Sequence, residues 1–240
     1  MGNKAPTSKK HGRDRWVKKG IPSLPSCQKM KTFIKLLLDW YTYNGRKYPW
    51  REKTATLYQK VIAEILLQRT RADSVALFLP EFLLKFPTWK ELSTSDQEDL
   101  RNSLYPLGLW KQKAKTLREL ANEMVYREGV FPKDYNEIRN LPGIGQYLAN
   151  AIAVFNLSEP RPLLDVNMAR VLERYFGPRK LADIRDDPYL QNLAHTIVLT
   201  SNNYANINFA ILDLAALICR KKPLCYQCPI KTGCRFWRQR

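Results

Sequence analysis

Histidine is almost missing from this chain: His11 and His195 are the only two in 240 residues. That argues against catalysis centred on an imidazole base and against a histidine-rich metal site. No apolar run is long enough to span a bilayer, and the N-terminus lacks the apolar core of a secretory signal. Alternating apolar and polar residues, the mark of half-buried strands, are absent, and there are no internal repeats. Residues 219–240 contain no Asp or Glu. These gaps point away from membrane and secreted classes and toward an all-α intracellular protein.

What is plentiful is positive charge. Forty Lys and Arg face 22 Asp and Glu, for a net charge of +18. Residues 1–35 hold +9 and residues 219–240 hold +7, which leaves only +2 for the long middle. A merely solubilising surface would spread its charge. Charge gathered at two ends points to a polyanion, with nucleic acid the first candidate. A cytoplasmic, nucleoid-associated location in a prokaryote follows from that partner. Residues 1–27 are basic and broken by Gly and Pro, and are expected to form a disordered arm. The rest is apolar enough for a sizeable core, at 45% hydrophobic residues overall.

Helical periodicity begins at Gln28, where Phe33, Leu36, Leu37 and Trp40 share one face, and it stops at the rigid turn Tyr48-Pro49-Trp50-Arg51. Further helices are predicted over 56–69, 74–86, 89–92, 96–104, 112–128, 146–156, 167–176, 189–200 and 208–219, with 136–140 leading into the turn at 141–145. Pro87, Pro106-Leu107-Gly108 and Gly129 punctuate them. About ten helices with short loops are expected.

Three stretches carry chemistry. Leu141-Pro142-Gly143-Ile144-Gly145 is a tight turn opening directly into a helix, so backbone amides and the helix dipole can hold a phosphate there without reading sequence. Asp165 sits among Leu163, Leu164 and Val166, and Glu64 is the single acid of the helix predicted over 56–69. Such carboxylates in apolar settings suit acid–base or electrostatic work, though an N-cap at Asp165 and a buried ion pair at Glu64 fit the same pattern. Cys219-x5-Cys225-x2-Cys228-x5-Cys234 has no neighbouring His, and its spacing fits four-thiolate ligation of either zinc or an iron–sulfur cluster.

YPWR, AEILLQRT, LPGIGQY, LLDVN and the cysteine cluster appear in the order found in the endonuclease III superfamily of helix-hairpin-helix DNA glycosylases. The chain resembles that superfamily from about residue 31 to residue 234. Two departures stand out: Leu148 replaces a common Thr, and the first cysteine gap is five residues where six is usual. The resemblance implies two helical lobes, one over 54–164 and one joining 28–53 to 165–240, with a DNA-binding cleft between them and Asp165 at its mouth. It implies a [4Fe–4S] cluster on Cys219, Cys225, Cys228 and Cys234 in preference to zinc. It also implies that Asp165 stabilises an oxocarbenium-like sugar, that Asn167 orients it, and that Glu64 acts on the base or the water. Tyr147, 18 residues before Asp165, stands where a Lys would form a Schiff base. Tyrosine cannot do so, and base removal by hydrolysis with little or no lyase activity is expected.

DNA contacts are expected from Gly143, Gly145 and Gln146 at the hairpin. Others are expected from Gln68, Arg69 and Arg71 at the end of the Glu64 helix, with Gln68 or Arg69 as the wedge that fills the gap left by the extruded base, and from Arg220, Lys221 and Lys222 on phosphates. The branch it resembles includes mismatch-specific thymine/uracil glycosylases and adenine glycosylases acting opposite guanine or oxidised guanine. Adenine enzymes usually carry a further domain, whereas this chain stops six residues after Cys234, which favours thymine or uracil opposite guanine. A non-catalytic DNA-binding module would be expected to lack the two carboxylates. The expected state is a monomer on double-stranded DNA.

Overall fold

A computed structural model describes residues 23–240. Every regular element among the described residues is helical. None of those helices is long and apolar enough to cross a membrane. The basic arm lies outside the described residues except for its last few positions, where Ser26 accepts from the Lys29 amide and starts the first helix.

The chain divides into two compact units. One takes the described residues up to Gly45 together with Pro162–Arg240. It contains α1 (Cys27–Asn44), α9 (Val166–Phe176), α10 (Pro188–Ser201), α11 (Tyr204–Leu217) and the short α12 (Arg235–Arg238). Phe33 of α1 packs its ring 4.8 Å from Tyr175 and 5.2 Å from Phe176 of α9. The aromatic face of α1 thus closes over α9. Asn208, fully buried in α11, accepts from the Leu163 amide at 2.7 Å, which fixes the strand of chain leading into Asp165.

The other unit is Arg46–Arg161. It contains α2 (Leu57–Leu66), α3 (Ala72–Lys85), α4 (Trp89–Thr94), α5 (Gln97–Leu104), α6 (Trp110–Tyr126), α7 (Tyr135–Asn140) and α8 (Gln146–Leu157). Val61 to Leu66 are buried at every position, so α2 is the central helix of this core and packs against α8. Thr56 and Gln59 form a reciprocal capping box that fixes where α2 begins. The YPWR turn also belongs to this unit: Tyr48 stacks on Trp50 and donates to Asp73 of α3 at 2.8 Å.

Several helix ends differ from their expected positions, each for a local reason. The helix expected to reach Arg69 ends at Leu66, because Arg69 adopts a left-handed backbone (φ 56°) that no right-handed helix continues. The helix expected to begin at Gln112 begins at Trp110, just after Leu109, which is also left-handed. The helix expected from Asn208 begins four residues earlier, capped by Asn203.

Candidate nucleic-acid and catalytic site

The hairpin is α7, the turn 141–145, and α8. Tyr135 of α7 donates to Asn150 of α8 at 2.5 Å, stapling the two helices across the turn. Gly143 and Gly145 are both exposed. Gly143 has φ +70°, and a Cβ there would meet Thr116 Cγ2 at 2.6 Å. Gly145 is the N-cap of α8 and has open space where a side chain would be. A glycine at each place leaves backbone alone on the surface at the positive end of a helix dipole, which suits a phosphate. Gln146 and Tyr147 follow in the first turn of α8, both partly buried. Leu148 is buried in the core, so the departure from Thr falls on packing and not on the surface. Gly143→Ala is expected to weaken binding of any duplex by about tenfold, through the left-handed backbone and the Thr116 clash. Gel-shift titrations with unrelated sequences would show a uniform loss.

Glu64 is 4% exposed within α2. Gln68, Arg69 and Arg71 are exposed, and they form the turn after α2 in place of its last helical residues. That turn lies beside a second one: the Arg69 carbonyl is 3.7 Å from where a Gly108 Cβ would be. Leu109, next to Gly108, is exposed despite being apolar and carries φ 59°. Nothing in the residue spacing separates Leu109 from an ordinary helix start.

In the other unit, Asp165 is the N-cap of α9. Its Oδ1 accepts from the Asn167 and Met168 amides at 2.9 and 2.8 Å, and its Oδ2 accepts from Asn167 Nδ2 at 2.6 Å. The capping alternative is therefore realised, and the carboxylate is held by it in a single orientation. Asn167 is fixed in turn, since its Oδ1 accepts from Arg170 Nη2 at 3.1 Å. Arg170 also donates to the carbonyls of Cys219 (2.8 Å) and Ala215 (3.2 Å). One turn further along α9, Arg174 donates to the carbonyls of Arg220 (2.6 Å) and Lys221 (3.2 Å) and to Cys219 Sγ at 3.4 Å. Neither arginine stands out in the sequence as a site residue. Asn167, Arg170 and Arg174 recur at the three- and four-residue spacing of one helix face, which is the signal that would have found them.

The four cysteines are all free. Burial raises the Cys228 thiol to about 11, with the charges of Cys219, Cys234 and Cys225 pushing the same way. The Cys234 thiol is raised by burial too, and again by Cys219 and Cys225. Among the described residues no three His, Cys, Asp or Glu side chains converge to hold a single metal ion. Arg240 adds a long contact to Cys225 Sγ at 4.0 Å. Gly233, just before Cys234, lies against the buried Tyr175 hydroxyl and has no room for a Cβ. Arg220, Lys221 and Lys222 are exposed on this loop while Arg174 pins its backbone.

Comparison with known proteins supplies a context. The model of the family described as "HhH-GPD superfamily base excision DNA repair protein" matches residues 62–186. A thymine-DNA glycosylase of Aeropyrum pernix is 35% identical over 84% of this chain and 92% of its own length. A thymine/uracil-DNA glycosylase of Pyrobaculum aerophilum is 34% identical over 87% and 93%. An adenine DNA glycosylase of Buchnera aphidicola is 36% identical over 84% of this chain and 58% of its own length. Among solved structures, a thermostable thymine-DNA glycosylase superposes with a TM-score of 0.81 at 28% identity, covering 89% of this chain and 98% of that one. An endonuclease III–DNA complex shares the fold, with a TM-score of 0.73 at 18% identity over 90% and 99%.

Proposed function

The chain belongs to the HhH-GPD superfamily of base excision DNA repair proteins, and from that premise we propose that it is a monofunctional DNA glycosylase removing thymine or uracil opposite guanine. The observation that carries the chemistry is the locked carboxylate of Asp165, with three hydrogen bonds and one orientation. Breaking an N-glycosidic bond builds positive charge on the sugar. A carboxylate already fixed in place stabilises that charge without reorganising. Asn167 is its positioning residue. A pyrimidine can leave as an anion, so its departure depends less on a proton than adenine's would; Glu64 acts on the base or on the incoming water. Tyr147 lines the base pocket and donates a hydrogen bond to it. With Tyr in place of an amine at this position, no Schiff base forms and the product is an abasic site.

The hairpin amides at Gly143, Gly145 and Gln146 take one phosphate, and Arg220, Lys221 and Lys222 take others. Gln68 or Arg69 fills the space left by the extruded nucleotide, with Arg71 on the neighbouring backbone. The overlap with a thymine-DNA glycosylase fold along 98% of its length supports the thymine or uracil assignment.

The four thiols suit a [4Fe–4S] cluster by the chemistry of the donor set: all four are free, no histidine neighbours them, and Arg174 already offers an N–H to the Cys219 sulfur. Bound there, the cluster would act structurally, holding the loop that carries Arg220 to Lys222. The purified protein is expected to be brown, with iron and acid-labile sulfide in equal amounts. A colourless protein containing zinc would reverse the assignment.

Duplexes carrying T·G, U·G, A·G and A opposite 8-oxoguanine, assayed with and without alkali, test the activity. Strand cleavage at T·G and U·G only after alkali is the expected result. Cleavage at the adenine substrates instead would favour the adenine enzymes that the chain also resembles. Cleavage without alkali would overturn the monofunctional reading.

A further inference from the structure

Lys113 is the anomaly of α6. It is 1% exposed, and burial lowers its pKa with no carboxylate contributing to the shift. Its ammonium bonds two neutral oxygens, Thr70 Oγ1 at 2.7 Å and the Gly108 carbonyl. A desolvated ammonium held by neutral oxygens is an expensive way to fill a core position. What it joins is informative. Thr70 belongs to the exposed turn after α2, and its hydroxyl faces the Gln68 carbonyl at 3.5 Å. Gly108 belongs to the exposed turn before α6. Each turn holds a bulky residue in the left-handed region, Arg69 at φ 56° and Leu109 at φ 59°. Non-glycine residues keep such a backbone only when their surroundings impose it. Lys113 reaches both turns at once, and its own amide closes the first turn of α6 on the Leu109 carbonyl at 3.0 Å.

We propose that Lys113 is a positioning residue for base extrusion: its buried ammonium locks the 68–71 turn to the 106–109 turn, so that the exposed side chains of both meet the duplex as one rigid wedge. The inference rests on the glycosylase reading and names what holds that reading's wedge in shape. Without the clamp the two turns relax toward ordinary backbone. The side chains at their tips then no longer arrive together, and pushing a paired base out of the stack becomes harder. A base that is already unpaired asks much less of them.

Lys113→Met keeps the length and the apolar stem of the side chain and removes the charge. Lys113→Arg restores a cation that can reach both oxygens. Single-turnover rates are compared on a U·G duplex and on the same duplex with the uracil in an unpaired bubble. In parallel, fluorescence of 2-aminopurine placed beside the target reports unstacking in the bound complex, whether or not cleavage occurs. Lys113→Met is expected to slow the paired substrate by about tenfold or more while the bubble substrate stays within about twofold, with 2-aminopurine brightening lost. Lys113→Arg is expected to recover most of the rate and the brightening. Equal slowing on both substrates together with a lowered Tm would overturn the proposal and leave Lys113 a purely structural residue, as would wild-type behaviour on the paired substrate. If the wild type cuts neither substrate, the uracil reading fails by itself, and the fluorescence comparison still decides the role of Lys113.

Discussion

Asp165→Asn is expected to leave the protein folded and to slow base removal by about two to three orders of magnitude. The argument turns on what asparagine can and cannot replace. As a helix N-cap it is as good as aspartate, so its oxygen can go on accepting from the Asn167 and Met168 amides, and α9 keeps its start. The negative charge is gone, however. The new amide nitrogen would also face Asn167 Nδ2, donor against donor, where Oδ2 now accepts at 2.6 Å. Asn167 cannot simply turn over to relieve this, because its own oxygen is engaged by Arg170. Asp165→Ala would confound the matter by also removing the cap, at a cost of about 1 kcal/mol. The asparagine variant therefore separates charge from folding. Single-turnover cleavage and thermal melting, measured side by side, check it: a Tm close to wild type with a rate near background is the expected pair. A variant that cuts as fast as wild type would reduce Asp165 to a capping residue.

Much of this architecture was legible in the sequence because helices advertise themselves through spacing. The buried run of α2, the aromatic face of α1 and the turn at Gly143 and Gly145 all stand where periodicity and glycine chemistry put them. Helix ends were less legible. Arg69 and Leu109 take a left-handed backbone that nothing in their side chains announces, since it is imposed by tertiary contacts, among them the clamp from Lys113. Lys113 itself falls in register with the buried Leu117 and Leu120, so its burial was readable from the helical period, but a lysine invites the assumption of exposure. Asp165 and the four cysteines were visible as types and spacings. The arginines between them became visible only once α9 was seen to present Asn167, Arg170 and Arg174 along one face.

Arg170→Met is expected to slow catalysis by about ten- to a hundredfold while leaving the affinity for duplex within about threefold, because the residue touches no predicted DNA contact and acts through Asp165. Its guanidinium serves three acceptors together: Asn167 Oδ1, the Cys219 carbonyl and the Ala215 carbonyl. Removing it takes the arginine from Asn167 Oδ1 and the Ala215 carbonyl, at roughly 1–3 kcal/mol for each one left buried and unmet, and leaves the Cys219 carbonyl only its longer bond from Arg174 at 3.4 Å. Asn167 is then free to turn, and the carboxylate it holds loses its fixed direction. The Cys219 end of the proposed cluster loop loosens at the same time, so if the cluster binds there, slower loading or faster loss of iron should accompany the drop in rate. Arg170→Lys is not expected to rescue, since a single ammonium cannot reproduce a planar fork reaching three oxygens. The decisive measurement is the double variant. If Arg170 acts through Asp165, then adding Arg170→Met to Asp165→Asn should cost little beyond Asp165→Asn alone, because the group being oriented has already lost its charge. Losses that multiply instead would mean that Arg170 contributes by a separate route, and the chain of contacts from Cys219 to Asp165 would then be packing with no catalytic consequence.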